Sequence, residues 1–291
     1  MGCIILWATK ILKQQMTIPK KYQPDIRAIL EKRYDNGADF WATSAGRWGT
    51  GSPFSTFDCI LMLSELGMRH SNPVLSGAAE QILSAWQEDG RFRPASKGTI
   101  YPCYAANAAR VLYRIGYVQD SRLKRTFQHL LEIRHSDGGW RCNTVKLSGS
   151  PETDASNTGT MLAALDAFRF SPFLNRDKRL DRAVLFLLDH WETRRPLSPC
   201  LYGIGTLFMK VEYPFFRYNV FFYVYVLSFY NAAKKNNSFQ EALHTLESKL
   251  IDGKVMVENP NRKLIQFAFC KKGEPSDLAT RRYHEILKNI A

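Results

Sequence analysis

The sequence lacks several features that would place it in a common class. Its six cysteines in 291 residues are too few for a disulfide scaffold, and no two of them form a CxxC pair. The longest apolar run, YNVFFYVYVLSFY, is too short to cross a bilayer, and the start, MGCIILWATKILKQQM, lacks the charged region of a secretory signal. We therefore expect free thiols in a reducing compartment and a cytoplasmic location, with peripheral membrane contact left open.

The basic residues are scattered along the chain without a long run, which argues against a specific nucleic-acid-binding surface. Their number is nevertheless high, and the chain has a formal net charge of +13. This charge favours an anionic partner such as a phosphate, a diphosphate or an acidic membrane surface. Hydrophobic residues make up 45% of the chain and aromatic residues 13%, so a disordered protein is excluded and a large packed core is expected.

Helical patterns recur in pairs along the chain. In each pair the first segment is apolar on most faces, as in YPCYAANAARVLYRIG, and the second is amphipathic, as in DSRLKRTFQHLLEI. Turns such as EDGRF, SDGGW and DGKVMV follow the amphipathic segments. Buried helices that alternate with half-wet helices predict an all-α fold, an α/α toroid with an inner and an outer ring of about four to five helix pairs, with a solenoid as the alternative. We expect one such domain over residues 21–291, with residues 1–20 outside its core.

A DG turn followed by Gly-Trp ahead of an inner helix resembles the repeat of squalene–hopene cyclases and protein prenyltransferase β-subunits. The stretches NGADFWAT, GGWRCN and GIGTLFMKVEYPFFRYN most resemble bacterial prenyltransferase-like and squalene-cyclase-like proteins, and the likeness runs from Asn36 to Tyr283. The resemblance implies the toroid fold. It also implies an isoprenoid-related enzyme, a transferase or a cyclase, that acts on a polyprenyl-type substrate with an anionic head in a central aromatic cavity.

The motifs of this superfamily are incomplete in the sequence. Where the cyclases carry DxDDTA, Asp154 matches the first aspartate, but Ser156 and Asn157 replace the acidic pair, so the alkene-protonating acid is missing. Where the prenyltransferases carry a zinc-binding Asp-x-Cys-Tyr, the stretch YPCY keeps Cys103 and Tyr104 but has tyrosine in the aspartate position.

Five cysteines fall near predicted element boundaries: Cys59, Cys103, Cys142, Cys200 and Cys270. In a toroid these positions converge on one rim, and Cys103, Cys142 and Cys200 are the candidate ligands for zinc or for an iron–sulfur centre. Two alternatives stay open. The thiols can be small core residues, or Cys103 can be a catalytic nucleophile whose pKa is lowered by the helix N-terminus.

Carboxylates also occur near the starts of the predicted inner helices: Asp58, Asp154, Glu212 and Asp277. They can cap the helices, act as general acids or bind a metal, and Asp58 and Asp154 lead as catalytic candidates. Candidate substrate-binding residues are Tyr104, Arg194, Arg195, Arg217, Tyr218, Phe222 and Tyr225. The arginines would bind a diphosphate and the rings would line the cavity, against the alternatives of solvated surface charge and ordinary core packing.

Two functions therefore stay open from the sequence. The first is an isoprenoid enzyme, which predicts a deep apolar cavity with a basic opening. The second is a non-catalytic binding or scaffold toroid, with or without a thiolate metal site. Glycan hydrolysis ranks last because the sequence shows no persuasive carboxylate pair for that chemistry.

Overall fold

The structure is a computed structural model that describes residues 18–94, 100–141, 155–171, 174–197 and 200–291. Eleven α-helices occur in these residues: α1 (Gln23–Glu31), α2 (Thr56–Glu65), α3 (Pro73–Ser84), α4 (Pro102–Ile115), α5 (Ser121–Glu132), α6 (Thr158–Phe168), α7 (Asp181–Thr193), α8 (Val220–Leu227), α9 (Asn231–Lys234), α10 (Asn237–Glu247) and α11 (Asp277–Ile290). The only sheet of the described chain is a hairpin of β1 (Leu250–Ile251) and β2 (Lys254–Val255). The predicted all-α class is confirmed.

The helices predicted to be apolar on most faces are buried. Every residue of α8 is buried, and so is every residue of α6 except Gly159. By contrast, α3, α5, α7 and α10 keep a polar face in solvent, as the amphipathic patterns predict. In the described part of the chain, no helix combines the length and the apolar character that crossing a membrane requires.

Local capping chemistry sets several helix ends where the sequence places them. Asn72, Asp120 and Asn236 each accept a hydrogen bond from the backbone N–H two residues on, at the starts of α3, α5 and α10. At the end of α4, Gly116 adopts a φ of 115°, a conformation that glycine reaches at little cost. These caps explain why α4 and α5 begin and end within a residue or two of the segments YPCYAANAARVLYRIG and DSRLKRTFQHLLEI.

The SDGGW turn packs beneath the helix pair that follows it. In SDGGW, Gly138 has a φ of 98°, and the Trp140 indole N–H donates to the carbonyl of Leu130 at 2.7 Å. The Trp140 ring is fully buried beside Phe168 of α6, at a centroid distance of 6.4 Å. The turn therefore joins the end of α5 to the core of the next helix pair.

The largely buried helices and the amphipathic last helix contact one another in sequence order. Helix α2 packs on α4, α4 on α6, α6 on α8 and α8 on α11. Helix α11 then returns to α2, because the guanidinium of Arg282 binds both carboxylate oxygens of Glu65 at 2.9 Å. The amphipathic helices lie against this set: α3 contacts α2 and α4, α5 contacts α4, and α10 contacts α7 and α8.

A buried network of charges joins the ends of these helices. Glu65 at the end of α2 pairs with Arg282 and with Arg114 of α4, and it accepts a hydrogen bond from the Tyr213 hydroxyl at 2.5 Å. Burial by itself would raise the pKa of Glu65, but the adjacent guanidinium groups outweigh burial and hold that pKa well below its usual range. Glu65 is therefore a permanently charged group inside the protein.

Asp166 of α6 is the second carboxylate of this network and is fully buried. Arg110 donates to it at 2.6 Å and Arg169 at 2.5 Å, while Arg114 lies at 3.4 Å. Burial opposes its ionisation, but the three guanidinium groups hold the pKa of Asp166 far below its usual range. None of these ion pairs was predicted from the sequence.

Candidate functional site

Asp58, a predicted catalytic residue, lies in the first turn of α2. Ser55 caps this helix: its hydroxyl donates to the Asp58 carboxylate at 2.8 Å and accepts from the Asp58 N–H at 3.2 Å. Burial raises the pKa of Asp58, while the hydroxyls of Ser52 and Ser55 and the charges of Arg110 and Arg217 oppose that rise. The carboxyl group is thus at once part of a helix cap and part of a charged cluster.

Glu212 is the second carboxyl group of this cluster, close enough to Asp58 for their charges to interact. It is only 4% exposed, and the Arg217 Nε donates to it at 2.9 Å. Burial, with a smaller contribution from the Asp58 charge, raises the pKa of Glu212 to about 7 against the opposing effect of Arg217. Near neutral pH this carboxyl group can both hold and release a proton.

The segment 211–218 positions Glu212 by running between the buried helices. The Val211 N–H donates to the Glu258 carboxylate at 2.7 Å, and the Tyr213 hydroxyl reaches Glu65. The Phe215 carbonyl accepts from Arg110 of α4 at 2.9 Å. Because polar contacts hold both flanks of Glu212, the segment fixes its carboxyl group next to the start of α2.

The predicted cavity-lining rings Tyr218, Phe222 and Tyr225 are 8%, 3% and 0% exposed. Phe215 fills the space in front of α8, with its ring centroid 5.2 Å from Phe222 and 4.9 Å from Tyr225. Arg110 lies 4.6 Å from the Phe222 ring centroid, in a cation–π arrangement. These rings pack on one another and on segment 211–218. In this structure they are therefore core residues, which was the alternative to lining a cavity.

Tyr104 lies in the first turn of α4 and packs against Phe57, the residue before Asp58. It is half-buried, and its ring packs against Phe57 at 6.1 Å, Trp48 at 6.2 Å and Tyr101 at 5.7 Å. Phe57 immediately precedes Asp58 in the chain, so this partly open aromatic surface begins one residue away from Asp58. We call Asp58, Glu212, Arg217 and Tyr104 the carboxyl site.

The other predicted arginines lie at the end of α7. Arg194 and Arg195 are exposed; the Arg194 side chain lies 5.6 Å from the Trp191 ring centroid, and the Arg195 carbonyl bonds to His190 Nε2 at 2.8 Å. That carbonyl requires a proton on Nε2, so Nδ1 accepts from the Tyr218 hydroxyl at 2.8 Å. His190 thus orients Tyr218. Of the three predicted arginines, Arg217 is the one that pairs with the carboxyl site, through Glu212.

The cysteines divide into two groups. Cys59 and Cys270 are buried, and burial raises the pKa of both thiols. Cys103 is half-buried and Cys200 is exposed, and both lie close enough to Tyr202 to act on the charge of its phenol. Within the described ranges, no group of three or more His, Cys, Asp or Glu side chains could hold a metal ion.

Two predicted site residues, the metal ligand Cys142 and the catalytic candidate Asp154, lie outside the described residues. Asp277, a weaker candidate, is exposed at the start of α11 and pairs with Lys21. Among the described residues, Asp58 and Glu212 are therefore the candidate carboxyl groups that lie close enough for their charges to interact. From the sequence, Glu212 was a weaker catalytic candidate than Asp58. The one feature that could have pointed to Glu212 was its position as a single acidic residue within the apolar stretch VEYPFF.

Comparisons with known proteins assign no family. No family model matches this chain, and no curated protein matches it. Its function has to be inferred from the geometry of the site and from the resemblance of its sequence motifs.

Proposed function

We propose that the chain is an acid–base enzyme related to the terpenoid cyclases and protein prenyltransferases, in which Glu212 and Asp58 exchange a proton with the substrate. The observation that carries this proposal is the buried Glu212 carboxyl group next to a second carboxyl group and one exposed arginine. A general acid works best when its pKa lies near the working pH, and two adjacent carboxyl groups achieve this by holding one proton between them.

The proposed step is a proton transfer. The proton leaves the Glu212 carboxyl group and bonds to a carbon or oxygen atom of the substrate, and Arg217 balances the new carboxylate at 2.9 Å. The positive charge that develops on the substrate is stabilised by the neighbouring Asp58 carboxylate and by the face of an aromatic ring such as Tyr104. This site would supply the acid that the altered DxDDTA motif lacks.

We place the helices in an α/α toroid. The order of contacts from α2 through α4, α6 and α8 to α11 supports this arrangement, together with the ion pair between Arg282 and Glu65 that joins the last helix to the first. In such a toroid the carboxyl site lies at the rim where the inner helices begin. Segment 211–218 occupies part of the centre.

The substrate class we propose is an apolar polyprenyl-type molecule with an anionic head. The resemblance of the motifs supports the apolar chain, and the net charge of +13 supports the head. Because the rings of α8 are buried while the Arg217 side chain is 54% exposed, the substrate would approach along Tyr104 and Arg217. This route differs from the central cavity expected from the sequence.

The test is turnover of a panel of polyprenyl diphosphates and of polyprenes without a head group, followed by mass spectrometry. We expect the wild type to form a product with a rate that falls as pH rises above 7, and Glu212→Gln to lose about 10²–10⁴-fold in kcat. Asp35→Asn, a change in an exposed carboxylate far along the chain from the site, serves as the matched control. Equal rates for Glu212→Gln and the wild type would contradict the proposal.

One observation favours the second function, a binding or scaffold toroid with a thiolate metal site. Cys103 and Cys200, far apart in the chain, both lie near Tyr202. Two thiols are fewer than the three or four ligands of a zinc site, so we assign no catalytic step to a metal. Elemental analysis and the turnover assay decide between the two functions. Stoichiometric zinc that is lost in Cys103→Ser, with no turnover by the wild type, would favour this function over the first.

A further inference from the structure

Segment 259–273, NPNRKLIQFAFCKKG, lies between the β1–β2 hairpin and α11 and concentrates positive charge. It contains four basic residues and no acidic residue. One of the four, Lys271, pairs with Glu274 just beyond the segment. The other three are exposed and have no carboxylate partner among the described residues: Arg262, Lys263 and Lys272. The segment therefore offers cationic groups to a partner.

Apolar side chains lie beside these charges. Ile265 is 38% exposed and Phe267 is half-buried. The Phe267 ring centroid lies 6.2 Å from that of Phe54, and the Lys32 ammonium lies 5.2 Å from the Phe54 centroid. The segment is thereby joined to the 3-10 turn after α1, in which Tyr34 is 62% exposed. Six residues define what we call the basic–apolar surface: Lys32, Tyr34, Arg262, Lys263, Ile265 and Phe267.

Hydrogen bonds fix the backbone beneath this surface. The Asn261 side chain accepts from the Lys263 N–H at 3.0 Å, which starts the turn that carries the two adjacent cations. Asp25 of α1 is buried and accepts from the N–H groups of Ala268 at 3.1 Å and Phe269 at 3.0 Å. Because a buried carboxylate ties the segment to α1, the exposed side chains extend from a fixed backbone.

The charge of the basic–apolar surface comes from segment 259–273. At the end of α1 the carboxylates and the basic residues form ion pairs, Asp35 with Lys32 and Asp39 with Arg33. These pairs cancel locally and leave the cations of the segment in excess. The net charge of +13 adds a field of the same sign from the rest of the chain. A partner for this surface is therefore anionic.

An acidic lipid surface fits both the charged and the apolar groups. Basic residues beside exposed aromatic and aliphatic side chains are typical of segments that lie in the interface of an anionic membrane. There the cations attract lipid phosphates, and an amphipathic ring such as that of Tyr34 favours the headgroup level. A nucleic acid would engage the cations but would leave Ile265 in water.

We infer that the basic–apolar surface docks on the headgroup region of a membrane that contains anionic lipid. Arg262 and Lys263 bind the lipid phosphates, while Ile265 and Tyr34 enter the boundary between headgroups and acyl chains. Neither carboxyl group of the proposed proton-transfer pair takes part, so this inference does not depend on the proposed function.

The test is co-sedimentation of the full chain with vesicles of phosphatidylcholine, alone or mixed with phosphatidylglycerol. We expect binding to the mixed vesicles that weakens as salt is added. The double variant Arg262→Gln/Lys263→Gln is expected to bind about tenfold or more weakly, since each cation near the surface contributes about fivefold. Ile265→Ser is expected to bind roughly fivefold more weakly because it removes the inserted side chain.

Matched controls come from the region of α7. Lys178→Gln/Arg179→Gln removes two adjacent exposed cations and gives the same net charge as the first double variant. Leu185→Ser removes a leucine that is 45% exposed. Both controls, and Glu212→Gln, are expected to bind within about twofold of the wild type, because they leave the basic–apolar surface intact.

Four results would overturn the inference: no sedimentation with the mixed vesicles, equal binding to both kinds of vesicle, equal losses in the two double variants, or binding that Arg262→Gln/Lys263→Gln leaves unchanged. Circular dichroism checks that each variant folds, and Tyr34→Ser replaces Ile265→Ser if the latter does not, with weaker binding expected. A single-stranded RNA oligomer is assayed in parallel. Binding of RNA without binding of vesicles would assign the surface to nucleic acid instead.

Discussion

At the scale of single residues, Glu212 and Glu65 show how neighbours decide the charge of a buried carboxyl group. Both are almost entirely buried, and burial alone raises the pKa of each. Glu65 faces two well-buried guanidinium groups and stays ionised, whereas Glu212 faces one exposed arginine and a second carboxyl group. The first group is therefore structural, and the second is suited to carry a proton.

Glu212→Gln is expected to change how stability depends on pH. The folded-state pKa of Glu212, about 7, exceeds its ordinary value of 4.5, so the folded protein favours the protonated form. Its contribution to stability is present below pH 4.5 and is lost as pH rises through 7, by about 3 kcal/mol in all. Urea unfolding at pH 5 and pH 8 measures this. We expect the loss in the wild type to be absent in Glu212→Gln, and an equal loss in both proteins would refute the assignment.

Glu65→Gln is expected to destabilise the protein strongly at neutral pH. The substitution leaves Arg114 and Arg282 buried with too little negative charge, which costs about 3–5 kcal/mol. Because the pKa of Glu65 is lowered by folding, its contribution is present at neutral pH and is lost as pH falls below its ordinary value of 4.5. Chemical denaturation compares the variant with Asp35→Asn, whose exposed ion pair with Lys32 contributes little. Equal midpoints for the two variants would show that the network is not stabilising.

At the scale of elements, the sequence was informative because helix formation depends on neighbours a few residues away. The alternation of buried and amphipathic helices, the caps at Asn72 and Asp120, and the glycine end of α4 all follow from local patterns. Segment 211–218 shows the limit. Its aromatic composition predicted rings around a cavity, but its place between the helices depends on bonds to Glu65 and Arg110, which are remote in sequence.

Gly138→Ala tests the turn that joins α5 to the next helix pair. The added Cβ would lie 2.6 Å from the Arg182 Cβ and 2.8 Å from the Arg182 backbone carbon, at a φ of 98°. Gly253, in the related DGKVMV turn, also has a positive φ, but a Cβ there would meet nothing within 4 Å. We expect Gly138→Ala to lower the unfolding free energy by about 2 kcal/mol more than Gly253→Ala, since only the first adds a clash to the backbone cost. Thermal unfolding of both variants checks this difference, and a similar loss in the two would argue against close packing at Gly138.

At the scale of the whole molecule, the contact between the buried helix α2 and the amphipathic last helix, α11, is the part that sequence patterns could not supply. Glu65 and Arg282 are 217 residues apart, and nothing local to either predicts their pairing. The same holds for the approach of Glu212 to Asp58 and for the packing of Phe267 on Phe54. The helical class could therefore be predicted, whereas the carboxyl site could be predicted only in part, through Asp58, Tyr104 and Arg217.

Arg282→Gln is expected to loosen α2 and α11, the two ends of this series of helices, at once. It removes the two hydrogen bonds to Glu65 and the pairing with Glu285 at 2.6 Å. Hydrogen exchange should then speed up in α2 and α11 together, while α5 keeps its protection. Lys21→Gln, which removes an exposed ion pair to the start of α11, is the control and should leave α2 unchanged. Faster exchange in α11 alone would show that the ion pair does not couple the two helices.

The most direct test of the account is the titration of Glu212 itself, followed by NMR of protein labelled with ¹³C at the glutamate carboxyl carbons and assigned through Glu212→Gln. We predict a midpoint near pH 7 in the wild type and a lower midpoint in Asp58→Asn, because the neutral amide removes the charge that raises the Glu212 pKa. A midpoint between pH 4 and 5 in the wild type, or one that Asp58→Asn leaves in place, would contradict the proposed proton-transfer pair.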